Sequence, residues 1–287
     1  FLSRSFDNLP PVTAVNNVRI IKKKFDVLAL SPRDVCEIDV IIHGASSNSP
    51  EHFSSPTEIF NEVTQITQRV ANLCSLVNIP LVYLSSGAVY DKKRIGMRRF
   101  KESDPLIDIN VSDANPYAKG KILAEQDILS RAQKQNTSAA VLRIFAIAGP
   151  LLPRDKHFAF GNFVHNAQNR RHIEVKAANA VWRSYIYETD LCNIILAATY
   201  ACCAQREAFI INVGGAECVE LRTLASFIAK KFGVEVKCKP IDKTLEPDWY
   251  VPAVDTCSRL FKIPEMSDLD RQIKEVYRLT VKDQPHS

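Results

Sequence analysis

Between residues 56 and 77 the apolar positions recur at steps of four and three: Ile59, Val63, Ile66, Val70, Leu73 and Val77. That spacing lays one hydrophobic stripe along a helix. Ser55 is suited to cap its free amides, Pro56 to the first helical position, and Glu58 to complete a capping box. A second helix is predicted after Pro116, with Tyr117, Lys121, Ala124 and Ile128 on one stripe. A third runs from Leu221 to Phe232 and is stopped by Gly233. Short β-branched runs separate the helical patterns and read as strands: Val12 to Val15, Val27 to Leu30, Val40 to His43, Leu81 to Ser85 and Ala139 to Phe145. This alternation predicts an α/β fold with a parallel sheet and crossover helices. After Pro150 it loosens, and Leu151 to His172 mixes Pro, Arg, His and Asn without a clean period. Ligand-specific structure is expected there rather than scaffold.

A chain of 287 residues, 46% of them hydrophobic, buries enough surface for one large α/β domain with a smaller appended lobe, or for two domains. No apolar stretch is long enough to span a bilayer, and Phe1 to Pro10 lacks the order of a signal peptide. The expected compartment is the cytoplasm, with no membrane partner. The eight cysteines are scattered, include the adjacent Cys202 and Cys203, and have no paired metal-ligand spacing. They read as free thiols, mostly buried, and no metal is expected. A net charge of +5 is modest, and Lys22 to Lys24 stands apart from Arg98, Arg99 and Lys101, so no nucleic-acid footprint is expected. A pI near 8.7 suits a phosphate-bearing small ligand, although solvated surface charge explains it equally.

Candidate chemistry lies where a strand ends and a helix begins. The run Leu81-Val82-Tyr83-Leu84-Ser85-Ser86 carries a hydroxyl to the carboxyl edge of the sheet, where open α/β folds bind ligands. Tyr117 and Lys121 are one helical turn apart, so the ammonium can approach the phenol. A nearby cation favours phenolate and lowers the phenol pKa from about 10 toward neutrality. Such a trio suits alcohol oxidation or its reverse, with Tyr117 taking the hydroxyl proton and Ser86 hydrogen-bonding the same oxygen. A Tyr and a Lys four residues apart occur by chance in many helices, so the weight comes from the combination.

The sequence resembles the extended short-chain dehydrogenase/reductases, the NAD-dependent nucleotide-sugar epimerase/dehydratase family, over nearly its whole length. The resemblance rests on Asp39-Val40-Ile41-Ile42-His43-Gly44-Ala45, Asn61, Leu84-Ser85-Ser86-Gly87-Ala88-Val89-Tyr90 and Asn115-Pro116-Tyr117-Ala118-Lys119-Gly120-Lys121. It continues in Leu142-Arg143-Ile144-Phe145 with Gly149-Pro150, and in Arg183-Ser184-Tyr185-Ile186-Tyr187 leading to Asp190. It implies a Rossmann-like core over residues 1–150 and a mainly substrate-binding lobe over 151–287, some elements of which return to the core. Ser86, Tyr117 and Lys121 are then the catalytic residues. Ala45, Asn61, Leu84, Tyr117, Lys121 and Phe145 are implied as contacts of NAD, with NADP also open, and Ser86, Asn162 and Arg183 as contacts of a nucleotide-sugar substrate. Read without the family, Asn61 is an exposed helix residue, Asn162 a turn-former and Arg183 half of a salt bridge. A homodimer using the 56–77 helix is a further implication.

The sequence departs from the family's pattern in several places. The glycine-rich turn that would cradle the pyrophosphate is not in it. The opening Phe1-Leu2-Ser3-Arg4-Ser5-Phe6 resembles the segment just after the second glycine, with Ser3 at the third, so the first strand and turn are expected to precede Phe1. Asn16 and Asn17 stand where an acidic residue or an arginine would choose between NAD and NADP. Ala146 replaces an asparagine of many relatives. Gly87 and Ala88 replace the acidic pair of 4,6-dehydratases, which favours an epimerase or ketoreductase. The competing readings are a catalytically impaired nucleotide-binding protein and a reductase of a non-sugar alcohol on the same fold.

Overall fold

The computed structural model describes residues 2–3, 23–24, 26–45, 55–152, 158–205, 207–261 and 266–282. In chain order the first elements are β1 (Leu2–Ser3), β2 (Lys23–Lys24), α1 (Pro32–Val35), β3 (Ile41–His43), α2 (Pro56–Val77) and β4 (Leu81–Ser86). There follow α3 (Lys92–Ile95), α4 (Pro116–Gln135), β5 (Ala139–Ile144), β6 (Ala146–Ala148), α5 (Ala159–Gln168), β7 (Ile173–Val175), β8 (Val181–Arg183) and β9 (Tyr185–Tyr187). The chain continues with α6 (Glu188–Gln205), β10 (Ala208–Val213), β11 (Val219–Glu220), α7 (Leu221–Phe232), β12 (Val236–Cys238), β13 (Asp248–Tyr250), α8 (Asp255–Phe261) and α9 (Leu269–Lys282). The central sheet has the strand order β10-β5-β4-β3, and β3 runs parallel to β4 with Ile41 opposite Leu81 and His43 opposite Tyr83. The α/β arrangement expected from the alternation is therefore present.

The three predicted helices form where the pattern puts them. The Ser55 side chain accepts from the Glu58 amide to cap α2, and Gly233, with φ at +69°, ends α7. One predicted strand is overturned. Val27–Ala29 is a single 3₁₀ turn, because the Asp26 carboxylate accepts from the Leu28 amide at 3.0 Å and fixes a cap where an extended chain would leave that amide for a neighbour. The predicted Val12 to Val15 strand lies outside the described residues, as do Asn16 and Asn17. The thiols are free as expected, but only Cys74, Cys202 and Cys257 are buried; Cys36, Cys192, Cys203 and Cys238 are exposed.

The chain folds as two compact units. The first comprises Phe1–Leu84, Ile109–Val141 and Thr199–Phe209. Its core is the packing of α2 on α4. Val63, Ile66, Val70 and Leu73 of the predicted stripe are buried, each contributing roughly 1.5–3 kcal/mol, and α4 answers with Ala118, Ile122, Ala124 and Ile128. The helices approach closely at Gly120, where a Cβ would stand 3.1 Å from the Val63 side chain.

The second unit comprises Ser85–Asp108, Leu142–Ala198 and Ile210–Ser287. Its core gathers Phe160 and Phe163 of α5, Leu224 and Ile228 of α7, and Ile273 and Val276 of α9. Small strand pairs border it: β12 with β7, β6 with β9, and β8 between β11 and β13. Among the described residues no helix is long and apolar enough to cross a membrane, and no cluster of side chains is arranged to hold a metal ion.

Candidate active site

In the first unit the site is built on the start of α4. The Asn115 side chain accepts from the amides of Tyr117 and Ala118 at 2.9 and 3.3 Å, and Pro116 fills the first helical position. This cap sets Tyr117 in the first turn, half-buried, with Lys121 directly above it and only 2% exposed. The Lys121 ammonium donates to the Leu84 carbonyl at 2.9 Å and lies 4.6 Å from the Tyr83 ring centre and 5.5 Å from that of Tyr117. Burial pushes its pKa down to about 8, against the pull of the Glu125 carboxylate one turn further along the helix. One carbonyl and two ring faces replace only part of the lost hydration.

His43 closes this cluster from the end of β3. Its Nε2 lies 3.2 Å from the Thr67 hydroxyl, and its ring stacks on Tyr83 at 5.5 Å. Burial, and then the Lys121 charge, push its pKa down to about 3, so the imidazole is neutral at physiological pH. Burial also drives the Tyr83 phenol far above its usual range. Neither group exchanges protons near neutrality.

In the second unit, Ser86 ends β4 and starts a 3₁₀ turn over Gly87–Val89. Its Oγ accepts from the Ala88 amide at 3.2 Å, which leaves the O–H proton to be donated elsewhere. Gly87 admits no side chain, since a Cβ would sit 2.7 Å from both the Phe145 ring and the Tyr250 hydroxyl. The turn is tied down through Tyr90, whose hydroxyl donates to Asn212 Oδ1 at 2.8 Å and accepts from Arg143 Nη1 at 2.8 Å. Arg143, 3% exposed, also donates to the Glu102 carbonyl, and the Glu102 carboxylate receives the Asn212 amide at 3.0 Å and the Thr256 hydroxyl at 3.2 Å. A neutral, fixed Tyr90 results, its phenol pushed up to about 12 by burial.

The other expected residues fall as follows. Ala45 and Asn61 are exposed in the first unit. In the second, Phe145 is buried in an aromatic cluster with Tyr90, Phe100 and Tyr250. Asn162 is half-buried inside α5, which removes its reading as a turn-former. Arg183 ends β8, donating from Nη1 to the carbonyls of Trp182 at 2.8 Å and Asp248 at 3.0 Å and from Nη2 to the Asp248 carboxylate. Sequence reasoning did not single out Glu125 or His43, which surround Lys121. Only Glu125 carried a local signal, four residues beyond Lys121 on the same stripe.

The model of the NAD dependent epimerase/dehydratase family matches residues 16–214. The chain belongs to that family. Solved structures share the fold of this epimerase/dehydratase family member at low identity. UDP-N-acetylglucosamine 4-epimerase from Bacillus cereus superposes with a TM-score of 0.78 at 16% identity, covering 98% of this chain and 89% of that one. MoeE5 in complex with UDP-glucuronic acid and NAD gives 0.77 at 18% identity over 99% and 90%. The NDP-hexosamine 5,6-dehydratase TunA gives 0.74 at 17% identity over 92% and 84%. No curated protein matches the sequence significantly.

Proposed function

We propose that the protein is an NAD-dependent epimerase or ketoreductase that acts at a hydroxyl or keto carbon of a nucleotide sugar. The observation that carries this reading is the buried Lys121 ammonium, held by the Leu84 carbonyl one turn from Tyr117. Burying a cation is expensive, and a helix that needed only packing would have placed an apolar residue there. The residues present fit a dinucleotide on two counts. The Leu84 carbonyl is the single hydrogen-bond partner recorded for Lys121 among the described residues, so further ammonium donors remain for ribose hydroxyls. The exit of β3 through Gly44 and Ala45 is small and exposed, as a flat ligand lying on the sheet edge requires.

In this reading Ala45, Asn61, Leu84, Tyr117, Lys121 and Phe145 hold the cofactor. NAD, when bound, supplies the hydride acceptor and donor. Tyr117 takes the proton from the sugar hydroxyl and returns it, and the Lys121 charge favours the phenolate that this needs. Ser86 donates its O–H to the sugar oxygen, from a turn locked by Tyr90, Arg143 and Asn212. Arg183 and Asn162 contact the substrate. The substrates named with the structural neighbours, UDP-glucose, UDP-glucuronic acid and UDP-N-acetylglucosamine, make the first assay panel.

Tyr117→Phe tests the reading. The ring still packs, so the fold and NAD affinity are retained while turnover falls by at least about 100-fold, the lower range for general acid/base catalysis. Retention of more than about a hundredth of the parent turnover on a substrate from the panel refutes the role of Tyr117.

A further inference from the structure

Arg183 does not face Asp248 alone. Lys92, the first residue of α3, donates from Nζ to Asp248 Oδ1 at 2.8 Å, so one carboxylate serves two cations. Both cations also lie against the ring of Tyr250, Lys92 at 4.9 Å and Arg183 at 5.6 Å from its centre. The hydroxyl of that tyrosine reaches the turn after Ser86, where it fills the space beside Gly87.

An exposed Lys–Asp pair is ordinarily a solvated contact of little consequence. Three features set this one apart. Asp248 already receives Arg183 at its carboxylate and its carbonyl, so the second cation leaves the cluster with a net positive charge. Of the five N–H donors of the guanidinium, three are used on Trp182 and Asp248, and the Nε–H and one Nη2–H have no protein partner recorded among the described residues. Two Lys92 donors are likewise uncommitted there, and its side chain is 41% exposed. Surplus charge with surplus donors in a half-buried setting suits an anion with several oxygens.

We propose that Lys92 is a second phosphate-binding cation, which together with Arg183 grips the diphosphate of the nucleotide-sugar substrate. The proposal rests on the nucleotide-sugar reading above. Tyr250 links this cluster to the Ser86 turn, its ring against both cations and its hydroxyl beside Gly87. Asp248 serves as a resident counter-ion that holds the two cations together before the ligand arrives.

Calorimetric titration of the NAD-loaded protein tests this, with UDP, TDP and GDP, followed by the nucleoside of whichever binds best. The parent should prefer the diphosphate to its nucleoside. Lys92→Gln should weaken the diphosphate by about tenfold, the scale of one charge-assisted hydrogen bond, and leave the nucleoside unchanged. Lys92→Arg should restore most of the loss. If Lys92→Gln binds the diphosphate as the parent does, while the parent still prefers it to the nucleoside, Lys92 is only a surface ion pair and the nucleotide-sugar reading stands. If the parent binds no nucleoside diphosphate, both fall together.

Discussion

The neutral His43 makes the first unit acid-sensitive in a way that can be worked out in advance. Its pKa is about 3 in the fold, against 6.5 for an exposed histidine. Protons therefore bind the unfolded chain more readily between those values. The stabilisation from a neutral His43 is complete above pH 6.5 and is lost as the pH falls toward 3, at about 1.4 kcal/mol per pH unit. At pH 5 the loss amounts to about 2 kcal/mol. With an unfolding entropy near 2.1 cal/mol/K per residue, that corresponds to about 3 °C in melting temperature for a chain of this length. The groups facing the imidazole are Thr67 from α2, Tyr83 from β4 and the Lys121 charge from α4, and none offers a carboxylate to stabilise an imidazolium. His43→Gln keeps a polar group near Thr67 without a titration. The variant should melt lower than the parent at pH 7.5, and the gap should close by about 3 °C on acidification to pH 5 in scanning calorimetry. Melting curves that fall in parallel for parent and variant would show that His43 titrates normally, and the buried cluster behind Lys121 would need another description.

Two other expectations follow from the same geometry. Lys121 is protonated below its pKa of about 8, so in the proposed mechanism its help to Tyr117 is present at pH 7 and fades as the pH rises; Lys121→Met should then cost more turnover at pH 7 than at pH 9.5 and should weaken NAD, and a parent-to-variant ratio constant over that range contradicts the coupling. Gly87→Val places methyls where Phe145 and Tyr250 already stand, and at the usual cost of overpacking it should destabilise the protein by about 1–3 kcal/mol in urea unfolding, whereas a neutral effect means that the turn after Ser86 has room to spare.

How much could be read from the sequence depended on whether a signal was local. The α2, α4 and α7 helices were legible because each couples a one-sided apolar stripe to its own cap or stop at Ser55, Asn115–Pro116 or Gly233. The α5 helix was not, since its Phe160, Phe163, Val164 and Ala167 face is short and interrupted by Gly161 and Asn162, both weak helix formers. The run Val27 to Leu30 is too short for periodicity to decide, and a single Asp26 side chain made it a turn. At the proposed site, Tyr117 and Lys121 stood out through their helical spacing, and their proximity was legible from it. Lys92 and Tyr250 did not stand out, because each acquires meaning only from Arg183, Asp248 and Gly87, brought beside it from elsewhere in the chain.

The ties of Glu102 bear on how such a chain can be made. Its carboxylate oxygens hold the amide of Asn212 and the hydroxyl of Thr256, partners 110 and 154 positions downstream. Closing loops of that length costs entropy before any contact repays it, so these bonds form late in folding. During synthesis residues 85–108 leave the ribosome well before their partners do. Until then Glu102 and the Tyr90–Arg143 pair lack partners that hold them in the finished protein, and apolar Val89 and Phe100 stay open to other chains. Completion of the second unit thus waits on translation past Thr256, and a nascent chain stalled earlier is the form most exposed to aggregation.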